Sequence, residues 1–149
     1  MTKVYRLATC LLLVIGCSSH SSGPAGPGAT GQSCTAVSQC YPDVDSSTLH
    51  GGDAVCMTQF TDGYCTHSCA ADTDCCAIPG ECPSNLLEVC GPFESTGAMY
   101  CFLSCEATDV TAAGMTDSTT YCQTYANQAF ICRSTGGGSQ NRKVCVPNG

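Results

Sequence analysis

The chain has 149 residues, twelve Asp and Glu against five Lys and Arg, a formal net charge of −7, sixteen cysteines and no tryptophan. No Lys or Arg lies between Cys17 and Cys132, which argues against nucleic acid as a partner because phosphate backbones require cations. Residues 17–149 hold only seventeen Leu, Ile, Val and Phe, about 13%, too few for a conventional core. Fifteen of the same residues are cysteine, so the composition reads as a disulfide scaffold in an oxidising compartment, with cross-links supplementing a thin core.

In chain order, Met1–Arg6 carries Lys3 and Arg6 and no acid, and Leu7–Gly16 is a ten-residue apolar stretch. That stretch is too short to cross a hydrocarbon core, which takes about 20 apolar residues. A charged segment followed by a short apolar one and small residues is the pattern of a secretory signal peptide. The run Val14-Ile15-Gly16-Cys17 resembles the lipobox of bacterial lipoproteins. The resemblance implies cleavage between Gly16 and Cys17 and lipidation of Cys17, with Ser18 resembling the outer-membrane-directed class. Two or more acyl chains on one residue anchor a protein without a transmembrane helix, at about 0.8 kcal/mol per buried CH₂. Residues 17–33 follow as the lipidated cysteine and a Ser/Gly/Pro tether with an expected span of roughly 20–24 Å.

Residues 34–149 form the expected disulfide-rich domain, written as three groups of four cysteines. These are Cys34, Cys40, Cys56 and Cys65; Cys69, Cys75, Cys90 and Cys101; and Cys105, Cys122, Cys132 and Cys145. The first two groups open with Cys-x₅-Cys, and their exits match as YCTHSC (64–69) and YCFLSC (100–105). Cys76 and Cys82 lie outside the scheme and pair as a local insertion. The modules are therefore 34–65, 69–101 and 105–145. Four cysteines allow three connectivities and spacing alone does not choose; first–third and second–fourth is favoured in each module.

The third and fourth cysteines of each group flank a turn signal: Asp62-Gly63, Thr96-Gly97, and the glycines at 136–138. Each module is expected to contain a short β-hairpin. A two-residue turn at Asp62-Gly63 sets Cys65 opposite Phe60, so a disulfide straight across the hairpin is disfavoured. Little other regular structure is needed. Asp117 caps an expected helix over 118–129, with Tyr121, Tyr125 and Ala129 on one face.

The segment Cys65-x₃-Cys69-x₅-Cys75-Cys76-x₅-Cys82-x₇-Cys90 is similar to the cysteine order of inhibitor cystine knots, and CAADTDCC (69–76) resembles spider-toxin knottins. CxxDxDC also resembles the whey-acidic-protein domain, from which the downstream spacing departs. The three-module repeat accounts for more of the cysteines.

Catalytic signals are sparse: GxSxG, HExxH and Cys-x₂-Cys are all absent from the sequence, so no enzymatic activity, metal or cofactor is expected. His50 and His67 stand alone and read as bystanders. Asp43 and Asp45, and Asp72 and Asp74, offer paired carboxylates of the kind Ca²⁺ takes, although capping of local turns explains Asp72 and Asp74 better. The aromatic and Met residues at 57, 60, 64, 99, 100 and 102 divide between core and partner-facing anchors. The chain as a whole resembles small cysteine-rich predicted lipoproteins of Gram-negative bacteria. The expectation is an extracytoplasmic protein, lipid-anchored at the outer membrane, that serves as a surface binding or structural module with a protein partner possible. The alternative is an inhibitor of extracellular hydrolases on a knottin-like scaffold.

Overall fold

A computed structural model of the protein describes residues 29–82, 86–93, 96–136 and 138–148. The signal segment, Gly16, Cys17 and the tether up to residue 28 lie outside the described residues.

Three two-stranded antiparallel hairpins carry the fold. Strands β1 (Ala54–Cys56) and β2 (Cys65–His67) form the first, β3 (Glu88–Pro92) and β4 (Met99–Leu103) the second, and β5 (Phe130–Ser134) and β6 (Lys143–Pro147) the third. In every hairpin the third and fourth cysteines of the module face each other: Cys56 opposite Cys65, Cys90 opposite Cys101, Cys132 opposite Cys145. This corrects the two-residue turn expected at Asp62-Gly63. Both residues do take left-handed φ, 68° and 67°, but they bend within a longer loop closed by Met57 N–H donating to Tyr64 O at 2.9 Å.

Facing cysteines do not bond to each other. Each reaches instead to the segment that opens its module, giving Cys34–Cys56 with Cys40–Cys65, Cys69–Cys90 with Cys75–Cys101, and Cys105–Cys132 with Cys122–Cys145. Because facing residues of a hairpin share one face, the two disulfides of a module lie side by side, with three of their sulfurs within 4.8 Å of one another in every module. A module is thus a hairpin with its opening segment stapled across one face. Cys76–Cys82 is a separate bridge of six-residue separation. The knottin-like set does not close on itself, since Cys65 leaves it for Cys40 and Cys75 for Cys101.

The opening segments also repeat in detail. Val37–Gln39 and Asp72–Asp74 are 3₁₀ turns at the same place in the first two modules. Gln39 Oε1 accepts the Thr35 and Ala36 amides, as Asp74 Oδ2 accepts those of Ala70 and Ala71. In the third module the longer gap holds two helices, α1 (Ala107–Ala112) and α2 (Ser118–Tyr125). Asp117 caps α2, accepting the Thr120 N–H at 2.6 Å. Helix α2 ends four residues before the expected boundary. Asn127 turns the chain by accepting the Ala129 N–H on its own side chain, and Phe130 must already lie in β5.

Successive modules are joined by their last strands. Ser68 bridges Tyr100 and Ser104 bridges Val144, while Cys69 N–H donates to Met99 O and Cys105 N–H to Lys143 O. One core then spans all three. Tyr64 of the first module lies 5.5 Å from Phe102 of the second and stacks at 5.5 Å on Phe130 of the third, all of them buried. Each module alone is too poor in apolar residues, so the core is shared between them.

The folded part begins earlier than residue 34. Ala29 and Thr30 are buried, Gly31 N–H donates to Cys65 O and Cys65 N–H to Gln32 O. Asn127 of the third module donates to Ser33 Oγ. Residues 29–33 therefore belong to the domain rather than to the tether.

Candidate functional site

The most concentrated chemistry in the described residues is a buried polar cluster where the first module meets the second. His67 ends β2, Glu81 sits in the ring closed by Cys76–Cys82, and Glu88 begins β3. His67 Nε2 is 2.7 Å from Glu81 Oε1, with both side chains fully buried. Its Nδ1 donates to Ser68 O at 2.9 Å. Glu81 also accepts the Cys76 N–H on Oε1 at 2.7 Å and the Ile78 N–H on Oε2 at 3.1 Å. Burial alone raises the carboxyl's pKa, but the hydrogen bond and charge of His67 and the two amides outweigh it, and Glu81 titrates below the usual carboxylate range. Both ring nitrogens of His67 are thus satisfied inside the fold, one by a backbone carbonyl and the other by a carboxyl group. Tyr41 packs edge-on to it, centroids 5.8 Å apart.

Glu88 is the opposite case. It is 2% exposed, and neither carboxyl oxygen has a hydrogen-bond partner among the described residues. Burial pushes its pKa up to about 8. The Thr30 hydroxyl, itself 2.6 Å from Tyr41 Oη, offsets this only in part, and the Glu81 charge adds to the rise. At neutral pH Glu88 is a neutral acid behind the His67–Glu81 pair. Nothing in this cluster reaches solvent, so it holds the modules together without access to a substrate.

The sequence-predicted carboxylates are separated rather than gathered. Asp45 Oδ1 accepts the N–H and hydroxyl of Ser47. Asp74 caps the turn between Cys69 and Cys75. Asp72 Oδ1 accepts the Cys90 N–H at 2.9 Å, and its carboxylate meets Arg142 of the third module at 3.0 Å. Every group of three adjacent ligand-type side chains among the described residues contains cysteines already in disulfides. Of the aromatic and Met residues held as anchors, Met57, Tyr64 and Phe102 are core, while Phe60, Met99 and Tyr100 remain half-buried.

His67 is neither exposed nor solitary, being buried against Glu81, and the repeat contains the signal that places it. In YCTHSC and YCFLSC, His67 aligns with Leu103, and both are buried. An aliphatic residue at the equivalent position marks an inward-facing site, which a histidine can fill only with a partner. Glu81 carried no such signal, since the ring that holds it has no counterpart in the other modules.

On the surface, an open groove of about 380 Å³ runs between the opening segment of the first module and β1, past Val37, Tyr41 and Asp53. No helix among the described residues is long and apolar enough to cross a membrane. No protein-family model, curated protein or solved structure matches the chain.

Proposed function

We propose that the protein is a lipid-anchored, extracytoplasmic binding or structural module without enzymatic activity. The observation that supports this reading best is the internal use of its chemistry. Fourteen cysteines are in disulfides, the buried histidine is committed to Glu81, and Asp45, Asp72 and Asp74 cap turns or bridge modules. What remains outward is a rigid acidic surface. A protein built this way offers shape and charge to a partner. Attachment at Cys17 would hold that surface at the outer membrane. The direct test of the anchor is fractionation of cells expressing the wild type and Cys17→Ser. The wild type is expected in the detergent-extractable membrane fraction and the variant in the soluble extracytoplasmic fraction. Identical distribution of the two would refute the anchor.

A second reading, inhibition of extracellular hydrolases, has one observation in its favour. The ring from Cys76 to Cys82 presents Ala77, Pro79 and Gly80 to solvent, and it is braced from within by Glu81 accepting the Cys76 and Ile78 amides. A preorganised loop of this kind loses little entropy on binding. Residual activity of serine, cysteine and metallo-endopeptidases titrated with the purified domain decides it. Stoichiometric loss of one activity would move this reading ahead of the first.

A further inference from the structure

The seven disulfides among the described residues are not equivalent in access. In six of them at least one cysteine is buried, whereas Cys76 is exposed and Cys82 half-buried. The six module bridges lie in side-by-side pairs under the opening segments and close separations of 21 to 27 residues. Cys76–Cys82 stands alone and closes a separation of six, so its loss returns the least chain entropy to the unfolded state. Cys76 is also held at a left-handed φ of 64°, a strained conformation for a residue with a side chain. Behind the bridge, a carboxyl oxygen of Glu88 lies within 4.8 Å of both sulfurs, and that carboxyl has no hydrogen-bond partner among the described residues. A buried acid without a partner is costly. Besides the Thr30 hydroxyl and the Glu81 charge, its neighbours include this disulfide.

We propose that Cys76–Cys82 is a thiol–disulfide exchange site, opened reversibly by a dithiol reductant while the three-module scaffold stays cross-linked, with Glu88 serving the sulfur that leaves. A thiolate of the dithiol attacks the exposed Cys76 sulfur. The Cys76–Cys82 bond breaks, Cys82 departs with the electron pair, and its sulfur takes the proton of the Glu88 carboxyl. The second thiolate of the dithiol then attacks its own sulfur in the mixed disulfide and displaces Cys76, which takes a proton from water. Two electrons have passed to the cysteine pair, the dithiol has become a disulfide, and Glu88 recovers its proton from solvent through the opened ring. The consequence is local. Glu81 keeps its two amides of this ring and its contact with His67, so opening the bridge loosens the segment 76–82 and changes the surface there without unfolding the domain.

The titratable groups set around Glu88 are Glu81 with its partner His67, Tyr41, Tyr64 and Tyr121. Burial pushes the three tyrosines up, Tyr121 to about 12 and the other two well above their ordinary value, so none titrates between pH 7 and 9. Above pH 8 an ionised Glu88 sets a like charge beside the leaving sulfur, and exchange slows. The experiment uses the full chain with limiting dithiothreitol, acid quench, alkylation and peptide mass mapping at pH 7 to 9. Cys76 and Cys82 are expected to alkylate first, about tenfold faster than any other pair. Per dithiothreitol thiolate, the wild-type rate is expected to fall roughly tenfold between pH 7 and 9, the scale of a like charge at this distance, while Glu88→Gln stays flat. The double variant Cys76→Ala/Cys82→Ala should release no thiol at the same dose. Earlier opening of another pair, or undiminished thiol release from the double variant, overturns the site. A wild-type fall that persists in Glu88→Gln overturns the role of Glu88.

Discussion

The buried His67–Glu81 pair shows how much a single side chain carries in a protein with so little apolar core. A buried pair of this kind adds little net stability, but removing one member strands the other. Glu81→Ala leaves His67 without its carboxylate and the Cys76 and Ile78 amides without an acceptor. It is expected to cost about 3–5 kcal/mol, measured by denaturant unfolding, and the double variant with His67→Ala should cost less than the two single changes combined. Glu88 makes a separate prediction. Its carboxyl rises from an ordinary value near 4.5 to about 8 in the native state. Across that window the native protein keeps a proton that the unfolded chain releases, so stability is greatest below pH 4.5 as far as this group is concerned and falls until pH 8. The loss is on the order of a few kcal/mol, and the difference in unfolding free energy between wild type and Glu88→Gln isolates it. A difference that does not change from pH 5 to 8 would contradict the assignment.

At the level of elements, the legible features are those written in local chemistry. Three pairs of cysteines flanking turn residues gave three hairpins, and Asp117 gave the start of α2. Register was not legible at the first hairpin. The dipeptide Asp62-Gly63 does turn, but the loop around it is fixed by contact with another segment. Cys34 N–H donates to Asp62 O, and a Cβ on Gly63 would stand 1.9 Å from the Cys34 carbonyl oxygen. Long-range packing of that sort has no signature in the spacing of a hairpin. Gly63→Ala is accordingly expected to displace the opening segment, and disulfide mapping of the purified variant should show loss of the Cys34–Cys56 bridge. The end of α2 was misplaced for a related reason: apolar spacing continued to Ala129, but β5 claims Phe130 and Asn127 ends the helix. Helix α1 had little sequence signal, since its six residues ATDVTA mix two alanines with β-branched Thr and Val and no side chain caps its start.

For the molecule as a whole, the repeat in the cysteines is a repeat in three dimensions. Each unit supplies one aromatic residue to a common centre at Tyr64, Phe102 and Phe130. The first two join their final strands to the next unit through Ser68 and Ser104. The chain from Ala29 to Ser33 closes the arrangement by running beside the first hairpin and reaching the third module. That closure was hidden by composition: residues 17–33 read as one polar tether, yet its last five are part of the fold. Disulfides and a shared core together give a rigid body whose outward chemistry is acidic, and the proposed lipid at Cys17 gives that body an address. The intact mass of protein extracted natively from membranes, alkylated with and without prior reduction, tests these two claims at once. The expected result is an N-terminus at Cys17 carrying three acyl-bearing additions, with the twelve module cysteines alkylated only after reduction. An unmodified chain starting beyond Cys17, or a free thiol at any module cysteine, would contradict it.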